Sequence, residues 1–287
     1  MINDPDRIKF AIPAKGRLNE PTIELLQRAG FNFRAKGRNL YATCTNEALT
    51  FIFVRTDDIP VLVDSGAVDA GITGSDLIEE RSAQADVIMP LEIGKCRLCI
   101  AVKDDYSHTE LSSLNGKKIA TSFPIITENY FKKHNVSVNI IKMNGSVEIM
   151  VALQLADAIV DIVETGDSLR DNNLKIFAEI GSYETVLIAN KTISGDPRIE
   201  QIKRRIKGIL VASKFSILEY NIPERLLPDA EKITPGYESP TISRLDEAGW
   251  LAVKVMVEKK IIHKIMDQLE TLGASAIFES EIKNCRL

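Results

Sequence analysis

Residues 157–174 read Asp157-Ala158-Ile159-Val160-Asp161-Ile162-Val163-Glu164-Thr165-Gly166-Asp167-Ser168-Leu169-Arg170-Asp171-Asn172-Asn173-Leu174. The opening run is apolar and β-branched (Ile159, Val160, Ile162, Val163), as expected of a fully covered parallel strand. It breaks at Glu164-Thr165-Gly166-Asp167-Ser168, where a helix is expected to start, capped by Asp167 or Ser168. A strand that turns through Thr-Gly-x-Ser into a helix makes a phosphate cradle. Its glycine turns N–H groups inward, its hydroxyls donate, and the helix dipole favours an anion. Carboxylates just before the turn suit a ligand that brings Mg²⁺ with its phosphates, or one with ribose hydroxyls to hold. The same residues also suit an ordinary β-α turn with a capped helix.

Around this stretch lies a chain of 287 residues, enough for two or three domains. With 45% hydrophobic and 26% charged residues the composition is globular. A net charge of −4 argues against general binding to nucleic acid or membrane surfaces, so a phosphate site must be built from locally placed cations and N–H groups. The N-terminal residues lack signal-peptide blocks and no apolar run reaches bilayer length, which predicts a cytoplasmic protein. Cys44, Cys96, Cys99 and Cys285 are too irregularly spaced for a disulfide framework, and are expected to be free thiols. His108, His134 and His263 are scattered, without metal-ligand spacing.

Upstream, Ile8 to Pro13 reads as a strand, Ala14 to Leu18 as a turn, and Asn19 as the cap of a helix ending at Gly30. Lys15 and Arg17 flank Gly16 at the strand's end, where open α/β sheets bind ligands. A solvated charged turn is the plainer account. Leu49 to Val54 is a second strand. Arg55 follows it as a ligand contact or a structural ion pair, and Asp57 or Asp58 is expected to cap the next helix. Val68 to Asp76 is a third strand and turn, with Asp76 at a helix start. A second α/β unit follows from Leu98. It has strands at 98–102, 118–122 and 136–143, a helix at 125–133, and a helix from Gly145 to about Ala156. Strands 98–102 and 184–190 read as two crossings between lobes, with a ligand cleft between them.

After an amphipathic helix from Pro197 to about Gly208, the tail changes character. Strands at 215–222, 240–245, 251–257 and 274–282 alternate with helices at 223–230 and 261–272, a β-α-β-β-α-β unit of ferredoxin-like type. All candidates for chemistry precede it, so it reads as a sensing or association module.

Several segments together resemble one family, the long form of ATP phosphoribosyltransferase, the first enzyme of histidine biosynthesis. They are Ile12 to Leu18, Asp58-Ile59-Pro60, Gly71 to Asp76, Asn144 to Glu148, Ala156 to Leu169, and Thr234 to Thr241 in the tail. Ser168 stands where threonine is usual and Tyr237 where leucine is frequent. The resemblance implies an α/β fold: a two-lobed body like that of periplasmic binding proteins, with a C-terminal ferredoxin-like regulatory domain. Lobe I would be residues 1–97 with 188–212, lobe II 98–187, and the regulatory domain 213–287.

The implied reaction moves the phosphoribosyl group of phosphoribosyl pyrophosphate to N1 of the adenine of ATP, with Mg²⁺ present and pyrophosphate released. Asp161, Glu164, Thr165, Gly166, Asp167, Ser168 and Leu169 would hold phosphoribosyl pyrophosphate. Lys15, Gly16, Arg17, Arg55, Asp76 and Glu148 would hold ATP. Adenine N1 carries a free lone pair, so no strong general base is needed, and no catalytic base is assigned. Mg²⁺ would be held mainly through substrate phosphates. Histidine would act as an allosteric inhibitor on the tail, with Glu219 for its ammonium and Ser239 and Thr241 for its carboxylate. A homo-oligomer, a hexamer with a dimer as the smaller form, is implied, without nucleic-acid or membrane partners. The rival reading is a non-catalytic, two-lobed small-molecule binding or effector-sensing protein.

Overall fold

The computed structural model of the chain describes residues 4–34 and 39–286. It divides into two compact units, Met1–Glu24 with Phe31–Lys203, and Leu25–Gly30 with Arg204–Leu287. The first unit holds two sheets.

In the first sheet β1 (Ile8–Pro13) is followed by α1 (Asn19–Arg28), β2 (Tyr41–Thr43), β3 (Leu49–Val54), α2 (Ile59–Asp64), β4 (Ala70–Gly74), α3 (Ser75–Glu80) and β5 (Asp86–Pro90). The chain then crosses into a second sheet. Its elements are β6 (Cys96–Lys103), β7 (Lys118–Thr121), α4 (Pro124–Lys133), β8 (Asn139–Lys142), α5 (Glu148–Ala152), β9 (Ala158–Val163), α6 (Asp167–Asp171) and β10 (Leu174–Tyr183). It returns through Glu184 into β11 (Thr185–Ala189) and continues into α7 (Pro197–Ala212).

The first sheet runs β2-β3-β1-β4-β11-β5 and the second β10-β6-β9-β7-β8. β1 pairs parallel with both β3 and β4, so three carboxyl ends lie side by side at the point where the strand order reverses. Lys15 and Arg17 follow the first of these ends, Arg55 the second and Asp76 the third. β9 pairs parallel with β7 but antiparallel with β6, so the expected parallel strand is parallel on one side only.

Apolar side chains bury both faces of the second sheet. Leu98, Ile100, Ile119, Phe131 and Val160 pack on the α4 side, and Cys99, Ala120, Val151, Ile159 and Leu169 on the α5 and α6 side. In the first sheet Ala11, Ile188 and Val186 pack against Ile59 and Val63 of α2. Gly71 is required there. A Cβ on it would stand 2.9 Å from the Ala11 carbonyl oxygen and 2.8 Å from Ile59 Cγ2.

Several expected elements differ. The helix expected over 145–156 is only Glu148–Ala152, because Gly145, Ser146 and Gln154 have positive φ and close it at both ends. The strand expected from Val136 starts at Asn139, while Val136 is buried in the α4 core. β10 was unexpected because two register shifts interrupt its alternation. α7 extends to Ala212, four residues beyond the expected stop at Gly208. The crossings fall in residues 91–95 and at Glu184, so β11 belongs wholly to the first sheet.

The second unit contains β12 (Phe215–Pro223), α8 (Leu227–Ile233), β13 (Thr241–Arg244), β14 (Trp250–Glu258), α9 (Ile262–Leu272) and β15 (Ser275–Glu281). The sheet order β13-β14-β12-β15 is that of a ferredoxin-like fold. Leu218, Tyr220, Ile222, Val253 and Val255 face Ala230, Ile262, Ile265 and Leu269 of the two helices. The buried Tyr220 hydroxyl lies 2.7 Å from Thr234 Oγ1, so its polar end is satisfied.

Gly71→Ala is expected to lower stability by about 1–3 kcal/mol, because β1 and α2 must shift to admit the methyl group. Thermal melting checks this; an unchanged midpoint would show that the β1–β4 approach yields freely.

Candidate active site

The loop after β9 is the floor of a cavity of about 350 Å³, lined by Arg17, Glu148, Ile159 and residues Asp161 to Leu169. All seven residues expected to hold phosphoribosyl pyrophosphate therefore meet in one cavity, joined by Arg17 and Glu148 of the six expected for ATP. Lys15, Gly16 and Arg55 are exposed at the strand ends and do not line it. Asp76 is 3% exposed and also lies outside the lining, close enough to Arg17 for the two charges to interact.

The loop turns at Gly166, whose φ of 86° is left-handed and suits a residue without Cβ. Gly166 is thus the residue before the helix, and Asp167 and Ser168 occupy its first turn; neither caps it through its side chain, contrary to expectation. Asp167 instead accepts a hydrogen bond of 2.5 Å from the Thr165 hydroxyl, and pairs with Arg170. That hydroxyl and then that guanidinium hold the Asp167 carboxyl below the ordinary carboxylate range. Arg170 was not among the expected site residues, although its spacing of three from Asp167 on a helix is a readable signal. Likewise, Asp57 and Asp58 make no side-chain cap at the start of α2.

Arg17 ties the two sheets of this unit together. Its guanidinium pairs with Glu164 beyond β9, and donates to the Gly94 carbonyl at 3.3 Å and to Cys96 Sγ at 3.4 Å. Cys96 and Cys99 are both buried free thiols. Beyond Glu164 lies a second cavity of about 690 Å³, with Ser75, Lys95, Cys96, Arg97, Tyr183 and Glu184 in its walls. Glu164 and Val163 line both cavities. Tyr183 donates to Glu79 Oε2 at 3.0 Å, and burial followed by that carboxylate pushes its phenol up. No sequence pattern pointed to Tyr183.

Burial raises the Asp161 carboxyl, which accepts the Ile162 N–H at 2.8 Å and feels the Glu148 charge. Burial likewise raises Asp76, opposed by the Leu77 N–H and by Arg17. Among the described residues no group of three or more His, Cys, Asp or Glu is arranged to hold a metal. The cavity's oxygen donors, Glu148 and Asp161, still fit Mg²⁺, which takes few protein ligands when phosphates and water complete its octahedron.

In the second unit Glu219 faces Lys254 across the β12–β14 pair, with Nζ 3.0 Å from Oε1. Thr241 lies opposite the same lysine on β13, so Glu219, Lys254 and Thr241 form one row on the sheet face away from α8 and α9. Ser239 is exposed in the approach to β13.

Because the native Asp76 binds its proton more tightly than the unfolded chain, stability falls as pH rises from 3.8 through the raised value. Asp76→Asn removes that loss, so the gain in melting temperature on substitution is expected to be larger at pH 7 than at pH 4. Parallel melting curves at both pH values would mean that Leu77 and Arg17 offset the burial completely.

The ATP phosphoribosyltransferase (HisG) family model matches residues 55–208, and the model of the HisG C-terminal domain matches residues 212–284. The chain is 48% identical over 286 residues to the ATP phosphoribosyltransferase of Rhodopirellula baltica, covering 99% of this chain and 96% of that one. It is 38% identical over 289 residues to that of Saccharomyces cerevisiae, covering 98% and 97%. A chain of the ATP phosphoribosyl transferase (HisG:HisZ) complex from Thermotoga maritima superposes with a TM-score of 0.61 at 29% identity, over 70% of this chain and 98% of that one. Tv2483, solved with L-arginine bound, shares the fold alone, at a TM-score of 0.50 and 14% identity over 72% and 86%. With both family models matched in order and relatives aligned along nearly the whole length, the chain belongs to the ATP phosphoribosyltransferase family.

Proposed function

We propose that this chain transfers the 5-phosphoribosyl group of phosphoribosyl pyrophosphate to N1 of ATP, giving phosphoribosyl-ATP and pyrophosphate at the head of histidine biosynthesis. The observation that carries the site assignment is the cavity at residues 161–169, where an αL glycine, two hydroxyls and Arg17 face one space. In this reading the N–H groups after Gly166, with the Thr165 and Ser168 hydroxyls, receive the 5-phosphate. Glu164 and Asp161 hold the ribose hydroxyls and face the positive charge that develops at C1′. The adenine N1 lone pair forms the new bond as the bond to pyrophosphate breaks, so no residue needs to remove a proton first. Arg17 takes charge on the pyrophosphate side, and Lys15 and Arg55 supply the remaining cations for the ATP phosphates. Gly16 lets the loop between them turn, Asp76 orients Arg17, and Leu169 packs the loop's far end.

Glu148 and Asp161 would hold Mg²⁺ together with substrate oxygens. When bound, the ion neutralises the charge on the departing pyrophosphate. The second unit would sense histidine through Glu219, Ser239 and Thr241. Because Glu219 is already paired with Lys254, the ligand's ammonium must displace that lysine. A homo-oligomer, a hexamer built from dimers, and a cytoplasmic location complete the reading. No described helix is long and apolar enough to cross a membrane.

Pyrophosphate release from ATP, phosphoribosyl pyrophosphate and Mg²⁺ tests the reaction. Thr165→Ala and Ser168→Ala should each cost about 1.5–3 kcal/mol in kcat/KM for phosphoribosyl pyrophosphate, with melting temperature retained. Normal kinetics in both would reduce the loop to a helix start. Calorimetric titration of histidine should show binding that Glu219→Ala weakens, and coupling requires substrates to change that affinity reciprocally. Absence of binding at millimolar histidine would remove the sensor role and leave the transferase standing.

A further inference from the structure

Helix α4 begins Phe123-Pro124-Ile125-Ile126, a start with no local acceptor for its first N–H groups. Phe123 stands where a capping side chain belongs, and the first turn carries no acidic residue. Pro124 has no N–H to satisfy, and the Thr127 N–H reaches the Phe123 carbonyl at 3.0 Å. The remaining two donors are met from the other sheet. Glu80, the last residue of α3, accepts the Ile125 N–H at 3.0 and 3.2 Å through its two oxygens, and the Ile126 N–H at 3.0 Å through Oε2. Glu80 is only 7% exposed, and a carboxylate at a helix N-terminus also meets the favourable end of the dipole.

Both ends of this contact lead to the site. At the start of α3, Ser75 N–H donates to the Glu184 carbonyl at 2.9 Å, and the Glu184 N–H donates back to Ser75 Oγ at 3.2 Å. Asp76, beside Arg17, is the next residue. On the other side, α4 follows directly from β7, whose Thr121 pairs with Val160, one residue before Asp161. Ser122 Oγ accepts the Gly145 N–H at 3.1 Å, which ties this turn to the segment leading to Glu148. The six residues of α3 therefore form a strut, with Asp76, whose charge interacts with that of Arg17, near one end and a clasp on the opposite sheet at the other.

We propose that Glu80 is a positioning residue for phosphoribosyl transfer: by capping α4 from α3, it fixes the separation between the Arg17 and Asp76 side of the cleft and the 164–169 loop. The proposal rests on the transferase reading for its catalytic consequence and on geometry alone for its structural one. A helix capped by a residue of its own would not tie α4 to α3; borrowing the cap makes the first turn of α4 depend on closure.

The test uses the full chain with Glu80→Ala and Glu80→Gln, the second keeping one carbonyl acceptor in place. Spin labels at exposed Ser65 and Lys133, in a Cys285→Ser background that leaves only buried thiols, report the distance between the lobes. Glu80→Ala is expected to broaden the distance distribution and to raise KM for both substrates by about tenfold to a hundredfold, as misplacement of reacting groups does. Glu80→Gln, left with one neutral acceptor for the two N–H groups, should show the same effects reduced to a few-fold rise in KM. A lower melting temperature with unchanged distances and KM would overturn the proposal and leave Glu80 a structural cap. If Glu80→Ala does not fold, Glu80→Gln decides: a few-fold rise in KM with a broadened distribution supports the clasp, and parent-like values for both overturn it. Should the parent protein lack transferase activity, the reaction assignment fails, while the distance measurement still judges the clasp.

Discussion

The Arg17 guanidinium is the constraint on which the cleft depends. It is a planar group with five donors, and it meets acceptors from three places: the Glu164 carboxylate, the Gly94 carbonyl and Cys96 Sγ. An isolated exposed ion pair would contribute about 0–1 kcal/mol, too little to hold two lobes together. Here the same cation serves the loop after β9 and the crossing before and into β6, so its position is over-determined. Asp76, buried behind it, completes the balance of charge. Arg17 thus places a positive charge at the mouth of a cradle otherwise lined by Glu148, Asp161, Glu164 and Asp167.

That balance matters because the chain as a whole carries a net charge of −4 while its substrates are polyanions. Long-range attraction does not bring them in; local geometry must. The strand order β3-β1-β4 gathers three carboxyl ends, and with them Lys15, Arg17 and Arg55, along one edge, where the proposed function needs its cations. The second sheet contributes N–H groups and hydroxyls from a turn that only Gly166 permits at low cost.

Much of this was legible in the sequence because it is local. The run from Ile159 to Val163 announces a strand, and Thr165-Gly166-Asp167-Ser168 announces a turn; both sit where they were expected, in one cavity with Arg17. The β-α-β-β-α-β order of the tail was equally readable, since Ile265, Leu269 and Leu272 repeat at helical spacing, although Ile261, read as part of that stripe, is exposed and Ile262 is buried in its place. What escaped was set by tertiary contact. Nothing near Phe123 in sequence says that its helix is capped by a residue 45 positions away from Ile125. The bulges of β10 hide its alternation, and Tyr183 gains its meaning only where the chain turns back into the first sheet. Of the caps expected of Asp57, Asp58, Asp167 and Ser168, those of Asp57 and Asp167 gave way to other partners, Arg81 in the case of Asp57. Capping propensity says that a side chain can turn back to the helix, not that another partner is absent, and for Asp167 those partners are Thr165 and Arg170.

The pairing of Asp167 also bears on how an acidic loop would accept a phosphate in the proposed function. In the structure its carboxylate already takes the Thr165 hydroxyl and the Arg170 guanidinium, two donors of the kind a phosphate oxygen would seek. Binding is then an exchange of one anion for another, not the filling of a bare positive site. Asp167 is exposed, so releasing it to water costs little, whereas a buried carboxylate in its place would compete on more equal terms. The same logic sets Asp161 apart. It is half-buried on β9 and held by the Ile162 N–H, so it keeps its place when the partners of the loop change. The acid of the loop is built to yield and the acid of the strand to stay, which in the proposed function would divide the phosphate end of the cradle from its ribose end.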